Sequence, residues 1–467
     1  MRKAVKLYAL LGVLAVVCLA AFAVSRHEEK KEQIKNSGEV ILSIPADSVT
    51  ALSWDNESGT FSFTKGENWS YDGDSAFPVD EEKIIALIEQ FEAFSAAFVI
   101  ENAEDLSQYG LNEPACTIRL TAGEECYTLE LGDFSRMDEQ RYFSIGDGNA
   151  YLAVYDPLDE FDAVLSDLIL DDTVPDFGTV ETLAFSGGEN YAIVRDEEGK
   201  SVCEQDVYFA DGKPLDTDNV DAYLDTIQTL ALTSYVSYNV SDEELSAFGL
   251  DAPELTVTLE YSGADSNSGE EGTQSFVLHL ARNREELAAY EQALADEESS
   301  LPAVTCYARV GESRIVYQIS SSVYKSLTAA SYDELRHQEL FTAAFDDVTE
   351  IEVTLDGETS RLAREVPDGE ENAVWMLDGT QVGLDGIETA LKAVQVKDFT
   401  DADPTQKEEL RLSISLDSGD FPDMTLSFYR YDGESCIAQL DGETVAFVSR
   451  SQVVDLIEAI HAVTLNS

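Results

Sequence analysis

The stretch YGLNEPACTIRL at residues 109–120 returns 139 residues later as FGLDAPELTVTL at residues 248–259. Over the wider segments 104–121 and 243–260, eight of 18 aligned positions are identical. Such a phrase marks either two reactive sites or one structural device within a repeated domain. Each of its residues has a structural explanation, which favours the repeated domain.

The phrase predicts the end of a short helix followed by a strand. In the first copy, a helix over residues 103–109 is expected to end at Gly110, which takes the left-handed conformation. Leu111 is then expected to fold back onto Leu106, as in a Schellman motif. Pro114 keeps the helix from resuming before the strand begins.

The second copy repeats this pattern with a different N-terminal cap. Asn102 is the predicted cap of the first helix, whereas Ser241 and Glu244 are expected to form a capping box in the second. The residues that correspond to those of the first copy are Leu245, Gly249, Leu250 and Pro253. We therefore interpret the phrase as structural.

A second motif reveals a third copy of the unit. An aromatic residue precedes an Asp-Gly turn in WSYDG, YFADG and WMLDG, and an acidic helix start and an amphipathic helix follow each time. The openings VTALSW, VETLAF and VTEIEV also correspond. Recurrence beside a helix favours core anchors over a sugar-stacking platform for the aromatic residues, which are Trp69, Tyr208 and Trp375.

The three copies predict repeat domains over residues 44–172, 177–335 and 345–465. The second carries a surface insertion at residues 262–300, interpreted as a flexible loop and an exposed helix. The third is diverged and lacks the Gly-Leu-x-x-Pro phrase. Because the strands come in hairpin runs, the predicted fold class is α+β, with three tandem, mainly antiparallel β-rich repeats that each hold two amphipathic helices.

The N-terminal residues predict a membrane location. Residues 7–24 are an uncharged run long enough for a transmembrane helix, and basic residues precede it. This favours a cytoplasmic tail at residues 1–6, a linker at residues 25–43 and an extracytoplasmic bulk of the chain. The predicted location is thus the cell membrane, with a single pass; a cleavable signal peptide is the alternative.

The charge of the chain is strongly negative and limits its partners. It holds 92 acidic and 29 basic residues, for a formal net charge of −63. A surface this acidic repels phosphate backbones, so nucleic-acid binding is not expected. The charge is compatible with a bound cation, with a basic partner, or with no more than solubility.

Catalytic and metal-binding motifs are absent from the sequence. It contains no H-E-x-x-H, G-x-S-x-G or G-x-x-x-x-G-K-[ST] pattern. The acidic stretches at residues 72–82 and 216–225 do not fit the twelve-residue calcium loop, and helix N-caps explain Asp80 and Asp218. We therefore predict no catalytic, cofactor-binding or metal-binding residues.

The six cysteines are dispersed and show no C-x-x-C spacing, which indicates neither a zinc site nor a disulfide framework. Cys116 and Cys126 are close enough in sequence to face each other across one hairpin. The sequence leaves that pairing open.

The anchor-like N-terminus, the Trp/Tyr-x-x-Asp-Gly motif and the Tyr/Phe-Gly-Leu-x-x-Pro motif resemble the bacterial family called domain of unknown function 4340. The resemblance covers nearly all of residues 1–340 and, more loosely, the third copy. It brings no catalytic residues with it. Because members often accompany ABC-type export systems and gliding-motility-like auxiliary proteins, the resemblance implies an ABC transporter permease or an auxiliary protein as partner.

The expected function is therefore that of a membrane-anchored, extracytoplasmic binding or scaffold protein, an accessory subunit of an ABC-type transport system. Two alternatives remain open from the sequence. One is an envelope carbohydrate hydrolase that uses an Asp/Glu pair. The other is an acidic, cation-binding surface protein.

Overall fold

The structure, a computed structural model, describes residues 38–264, 271–296, 300–366 and 373–465. The described chain forms three nine-stranded sheets that follow one another along the sequence. It divides into two compact units. The first holds the described residues up to Asp172 together with Tyr235–Asn239, and the second holds Thr173–Ser234 and the described residues from Val240 onward.

The first sheet has the strand order β1-β5-β9-β8-β7-β6-β2-β3-β4. Its strands are β1 (Glu39–Leu42), β2 (Val49–Asn56), β3 (Gly59–Lys65), β4 (Trp69–Tyr71), β5 (Phe94–Ile100), β6 (Cys116–Ala122), β7 (Glu125–Ser135), β8 (Gln140–Ser144) and β9 (Ala150–Ala153).

The second sheet has the order β13-β12-β11-β10-β15-β16-β17-β18-β14. Its strands are β10 (Thr179–Gly187), β11 (Tyr191–Arg195), β12 (Tyr208–Ala210), β13 (Lys213–Pro214), β14 (Tyr235–Ser237), β15 (Leu255–Ala264), β16 (Glu271–Arg282), β17 (Cys306–Val310) and β18 (Val316–Ile319).

The third sheet has the order β22-β21-β20-β19-β24-β25-β26-β27-β23. Its strands are β19 (Val348–Leu355), β20 (Glu358–Glu365), β21 (Val374–Leu377), β22 (Thr380–Val382), β23 (Val396–Phe399), β24 (Glu408–Leu416), β25 (Asp423–Arg430), β26 (Ser435–Leu440) and β27 (Glu443–Ser449).

The three sheets are copies of one topology. The second and third sheets have the same strand order throughout. The first sheet lacks the edge strand that follows the Asp-Gly turn in the other two, β13 and β22, and has β1 as an additional strand at its opposite edge. A register shift also recurs at the same place in each copy. It lies in β2, β10 and β19, directly after the buried residues Val49, Val180 and Val348. A β-bulge that occurs at the same place in all three sheets is a feature of the shared fold and not an irregularity of one strand. The chain therefore contains repeated domains.

Helices connect these strands. The α-helices are α1 (Glu81–Glu89), α2 (Leu158–Phe161), α3 (Thr217–Gln228), α4 (Asp242–Phe248), α5 (Arg284–Ala295), α6 (Ser321–Thr328), α7 (Asp385–Lys392) and α8 (Arg450–Thr464). The 3-10 helices are Ala46–Ser48, Leu106–Tyr109, Leu165–Leu168 and Phe345–Asp347.

The α+β prediction is wrong, because the described residues are mostly β: 41% lie in strands and 22% in helices. The sequence predicted hairpins broken by amphipathic helices. In the structure the hairpins of each repeat join into one continuous antiparallel sheet, and several helices are only one or two turns long. Hydrophobic periodicity identified the helices but did not show that the strands between them belong to one sheet.

The transmembrane helix that formed part of this fold prediction has no counterpart among the residues that the structure describes. Among the helices of the described residues, none is long and apolar enough to cross a membrane. Residues 7–24, for which the helix was predicted, lie outside the described residues.

Each sheet builds a core against its helices. In the first sheet the indole of Trp54 is fully buried and stacks on Phe63, with 5.6 Å between ring centroids. In the third repeat, α8 buries Val453 and Leu456 in the same core as the strands. This packing provides most of the stability that the short helices lack by themselves.

The hairpin registers decide one alternative that the sequence left open and correct one local prediction. Cys126 pairs in register with Thr121, whereas Cys116 lies opposite Leu131, so the two cysteines do not face each other, and both are free. The loop predicted from residue 262 is largely strand, since β15 and β16 continue as a hairpin up to the Ala264–Glu271 pair. The exposed helix predicted after it is α5.

Candidate functional sites

The repeated phrase forms a helix end in both copies. In the first, the helix is shorter than predicted: it is the 3-10 turn Leu106–Tyr109, and Asp105 rather than Asn102 caps it. Gly110 has a φ of 68°, and the Leu111 N–H donates to the Leu106 carbonyl at 3.1 Å. Pro114 then precedes β6.

The second copy has the same geometry on a full α-helix. Ser241 and Glu244 form a capping box at the start of α4. Gly249 has a φ of 80°, and the Leu250 N–H donates to the Leu245 carbonyl at 2.8 Å. Pro253 again precedes the next strand, β15.

Both turns pack closely against the backbone of a neighbouring strand, so that only glycine fits at the contact. A Cβ atom added to Gly132 in β7 would lie 2.1 Å from the Tyr109 carbonyl oxygen. In the second repeat, a Cβ on Gly249 would lie 2.7 Å from the Arg282 carbonyl oxygen. Since neither backbone contact leaves room for a side chain, the phrase serves to dock the turn on the sheet.

The three motif aromatic residues lie in strands next to the cores. Trp69 and Tyr208 are each 5% exposed, and Trp375 packs against the core of the third repeat. The Asp-Gly turns after Tyr208 and Trp375 have left-handed residues at both positions, whereas the turn after Trp69 does not. The motif residues are thus distributed over three sheets and do not converge on one site.

The first unit contains a cleft of about 960 Å³. Its walls are α1, the start of β5, the residues that follow β9, and α2. Four carboxyl side chains line it, those of Asp156, Asp159, Glu160 and Asp167, against one basic side chain, that of Lys83. The cleft is therefore acidic.

The charged groups of this cleft are not equivalent. The Lys83 ammonium donates to the Ile169 carbonyl at 3.2 Å and lies 3.5 Å from an Asp80 carboxylate oxygen. Its charge is therefore already paired within the protein. The single N–H of Arg141 Nε is shared between both carboxylate oxygens of Asp156, at 2.7 and 2.9 Å. Asp167 is exposed but accepts from the Val164 N–H at 2.9 Å. Asp159 and Glu160, in contrast, lie exposed in the first turn of α2 and are the carboxylates most available to a ligand.

A second cluster lies in the second unit, around His337. Its Nε2 atom is 2.9 Å from both carboxylate oxygens of Asp206, and its Nδ1 atom is 3.5 Å from Asp216 Oδ2. The Asp206 side chain is only 1% exposed, and its Oδ2 also accepts from Ser201 Oγ at 2.6 Å. Glu339 completes the group, whose ligand atoms with His337 and Asp216 lie within 4.8 Å of one another.

Different elements hold these side chains in place. Asp206 lies just before β12, and Asp216 is the N-cap of α3, accepting from the Asp218 N–H at 3.0 Å through Oδ1. His337 and Glu339 belong to the segment between α6 and the third sheet, where Glu339 forms a β-bridge with Gln395. A cleft of about 460 Å³ opens beside the cluster.

The carboxylates control the charge of the imidazole. Burial lowers the pKa of His337, but the hydrogen bond and charge of Asp206, together with the charges of Asp216 and Glu339, outweigh burial and raise it above its usual value. The surrounding carboxylates therefore stabilise positive charge at the imidazole. The arrangement can bind either a proton or a metal ion.

Sequence reasoning did not find this cluster. It assigned the cap of α3 to Asp218, whereas the structure assigns it to Asp216, and Asp80 caps α1 as predicted. His337 and Asp206 are 131 residues apart, so no local motif joins them. The only available signal was His337 itself, which follows the second repeat directly in an acidic chain.

Comparison with known proteins places the chain by family only. No curated protein matches it. A family model, described as Domain of unknown function (DUF4340), matches residues 69–211 and 208–413. These segments cover well over half of the chain, which therefore belongs to the DUF4340 family.

Proposed function

We propose that the chain is an extracytoplasmic binding and scaffold protein, held at the cell membrane, that acts as an accessory subunit of an ABC-type transport system. The observation that carries this proposal is the acidic cleft of the first unit. The repeated sheets supply the scaffold, since the motif residues that recur among them have turn and core contacts rather than a shared reactive centre.

The charge of the cleft selects the kind of partner. Asp159 and Glu160 project from α2 as exposed carboxylates, and Lys83 is engaged by Asp80 and by a backbone carbonyl. Electrostatic complementarity favours a basic segment at such a surface, because opposite potentials speed encounter and disfavour other partners. We assign this segment to the extracytoplasmic part of the transporter.

Exposed apolar side chains beside the cleft favour a protein partner over a small ligand. Ser95 in β5 lines the cleft. Val40 lies opposite it on the neighbouring strand β1 and is 51% exposed. Phe98, in the same strand as Ser95, is 60% exposed. Apolar anchors next to charged groups are typical of protein interfaces.

Affinity purification with matched charge variants tests the proposal. The tagged chain is recovered from gently solubilised native membranes, and co-purifying proteins are quantified by mass spectrometry. Asp159→Lys with Glu160→Lys places positive charge in the cleft, so we expect the recovery of permease and ATPase to fall about tenfold or more.

The control carries the same charge change elsewhere on the first unit. Glu57→Lys with Glu124→Lys replaces two exposed carboxylates that do not line the cleft, and should leave recovery unchanged. Melting temperatures of both variants establish that they fold. Equal recovery by both variants would place the partner elsewhere, and absence of a transporter from the unaltered sample would refute the proposal.

A further inference from the structure

We propose that His337, Asp216 and Glu339 bind a divalent transition-metal ion, with Zn²⁺ as the model ion, and that Asp206 positions the imidazole for it. The proposal is independent of the transport partner. It rests on the geometry of the cluster in the second unit and on the chemistry of its donor atoms.

The imidazole is held from one side. Asp206 lies 2.9 Å from Nε2 with both carboxylate oxygens and is itself fixed by Ser201. When Nε2 carries the proton of this hydrogen bond, Nδ1 presents its lone pair toward Asp216 and Glu339. A buried carboxylate behind a ligating histidine is the usual outer-shell partner at zinc sites, where it fixes the tautomer and raises the basicity of the ligand.

The distances suit a metal ion after small side-chain movements. The three ligand atoms lie within 4.8 Å of one another. Bonds of about 2.0–2.2 Å to a tetrahedral zinc ion place ligand atoms roughly 3–4 Å apart. Since the cluster borders a cleft of about 460 Å³, a water molecule has room to serve as the fourth ligand.

The donor set selects among metal ions. One imidazole nitrogen and two carboxylates suit zinc and neighbouring transition metals, whereas calcium and magnesium prefer all-oxygen sites. Because the metal binds the Nδ1 lone pair, it competes with a proton for that atom, and binding should weaken as the pH falls.

A second group of possible ligands, Cys203 with Asp206 and His337, is the less suitable one. Both oxygens of Asp206 already accept hydrogen bonds. Burial raises the pKa of the Cys203 thiol, which keeps it protonated and a poor ligand. The Nδ1 side of the imidazole therefore offers the better site.

The site would also link the second repeat to the third. Asp206 and Asp216 belong to the second repeat. The segment that carries His337 and Glu339 is bonded to the first residue of β23 in the third repeat, where the Val396 N–H donates to the Gln338 carbonyl at 2.7 Å. A bound ion would add bonds across this junction and stabilise the second unit by mass action.

The test is a titration of the full, metal-free chain with Zn²⁺ in competition with a chromophoric chelator. We expect one site that binds Zn²⁺ more tightly than the other acidic groups of the surface do. Ca²⁺ at the same concentration should not occupy this site. Glu339→Gln, which removes a ligand but keeps the side-chain shape, should weaken Zn²⁺ binding at least as much as loss of an outer-shell partner does, about 10- to 100-fold. Glu334→Gln, which neutralises an exposed carboxylate on the same segment, should bind like the unaltered chain.

The role of Asp206 has its own readout. In ¹⁵N spectra of the histidine side chains, with the His337 signals assigned through His337→Gln, Zn²⁺ should shift the Nδ1 resonance while Nε2 keeps its proton. Asp206→Asn should weaken binding about 10- to 100-fold and abolish the preference for Nδ1. Equal affinity in Glu339→Gln, Glu334→Gln and the unaltered chain, equal binding of Ca²⁺, or no saturable site would overturn the proposal.

Discussion

Trp54→Ala is expected to lower the free energy of unfolding of the first unit by about 3–5 kcal/mol. The indole is fully buried in the first sheet. It contacts three other rings, those of Phe61, Phe63 and Phe161, at centroid distances of 5.2, 5.6 and 5.4 Å. Truncation removes this buried area and leaves a cavity that neighbouring aromatic rings cannot fill without moving.

Differential scanning calorimetry of the full chain measures this effect, because it reports transitions of the two units separately where they are resolved. The transition of the first unit should fall by roughly 6–20 °C, and that of the second unit should not move. Phe98→Ala is the matched control: its ring is 60% exposed in the same sheet, so its loss should cost less than about 0.5 kcal/mol. Similar shifts for the two variants would contradict the packing described for this core.

The second large effect is expected from Arg141→Met, which should cost the first unit about 3–5 kcal/mol. The Arg141 and Asp156 side chains are only 13% and 10% exposed, and they form an ion pair at 2.7 Å. Arg141 also donates to the Gly132 carbonyl at 2.7 Å, next to the turn of the repeated phrase. Its loss removes the charged donor of a largely buried carboxylate, which keeps only the Leu158 N–H at 3.0 Å, and it also removes the Arg141 donor from the Gly132 carbonyl.

Calorimetry with two further variants separates the charge effect from loss of packing. Arg136→Met removes an exposed arginine nearby and should leave the transition within about 0.5 kcal/mol of its original stability. Adding Asp156→Leu to Arg141→Met should recover much of the lost stability, because no unpaired charge then remains buried. If Arg141→Met behaves like Arg136→Met, the pair has no structural role.

Local features of the fold were predictable from the sequence, because neighbouring residues determine them. Gly249 and the capping box of Ser241 and Glu244 were identified from spacing alone, and their geometry depends on a single helix end. The cap of the first copy was misplaced, at Asn102 instead of Asp105, because both residues are good caps and the helix is only one turn long. Sequence patterns do not decide such a choice.

Features that depend on distant residues were not predictable. The α+β class was wrong because the joining of all hairpins in a repeat into one sheet depends on pairs such as β2 with β6 and β5 with β9, which lie far apart in sequence. The His337 cluster was missed for the same reason. In the acidic cleft, Asp159 and Glu160 could not be distinguished from the other acidic residues, of which the chain has 92 in total.

Site-specific photo-crosslinking in living cells tests whether the acidic cleft of the first unit contacts an ABC-type transporter. A photoreactive benzoylphenylalanine replaces Glu160 in the cleft or, as the matched control, exposed Glu124 on the same unit, and crosslinked products are identified by mass spectrometry. We expect a crosslink from position 160 to an extracytoplasmic segment of an ABC-type transporter, rich in lysine or arginine, and none from position 124. Crosslinks of equal yield from both positions, or no transporter component from position 160, would contradict this expectation.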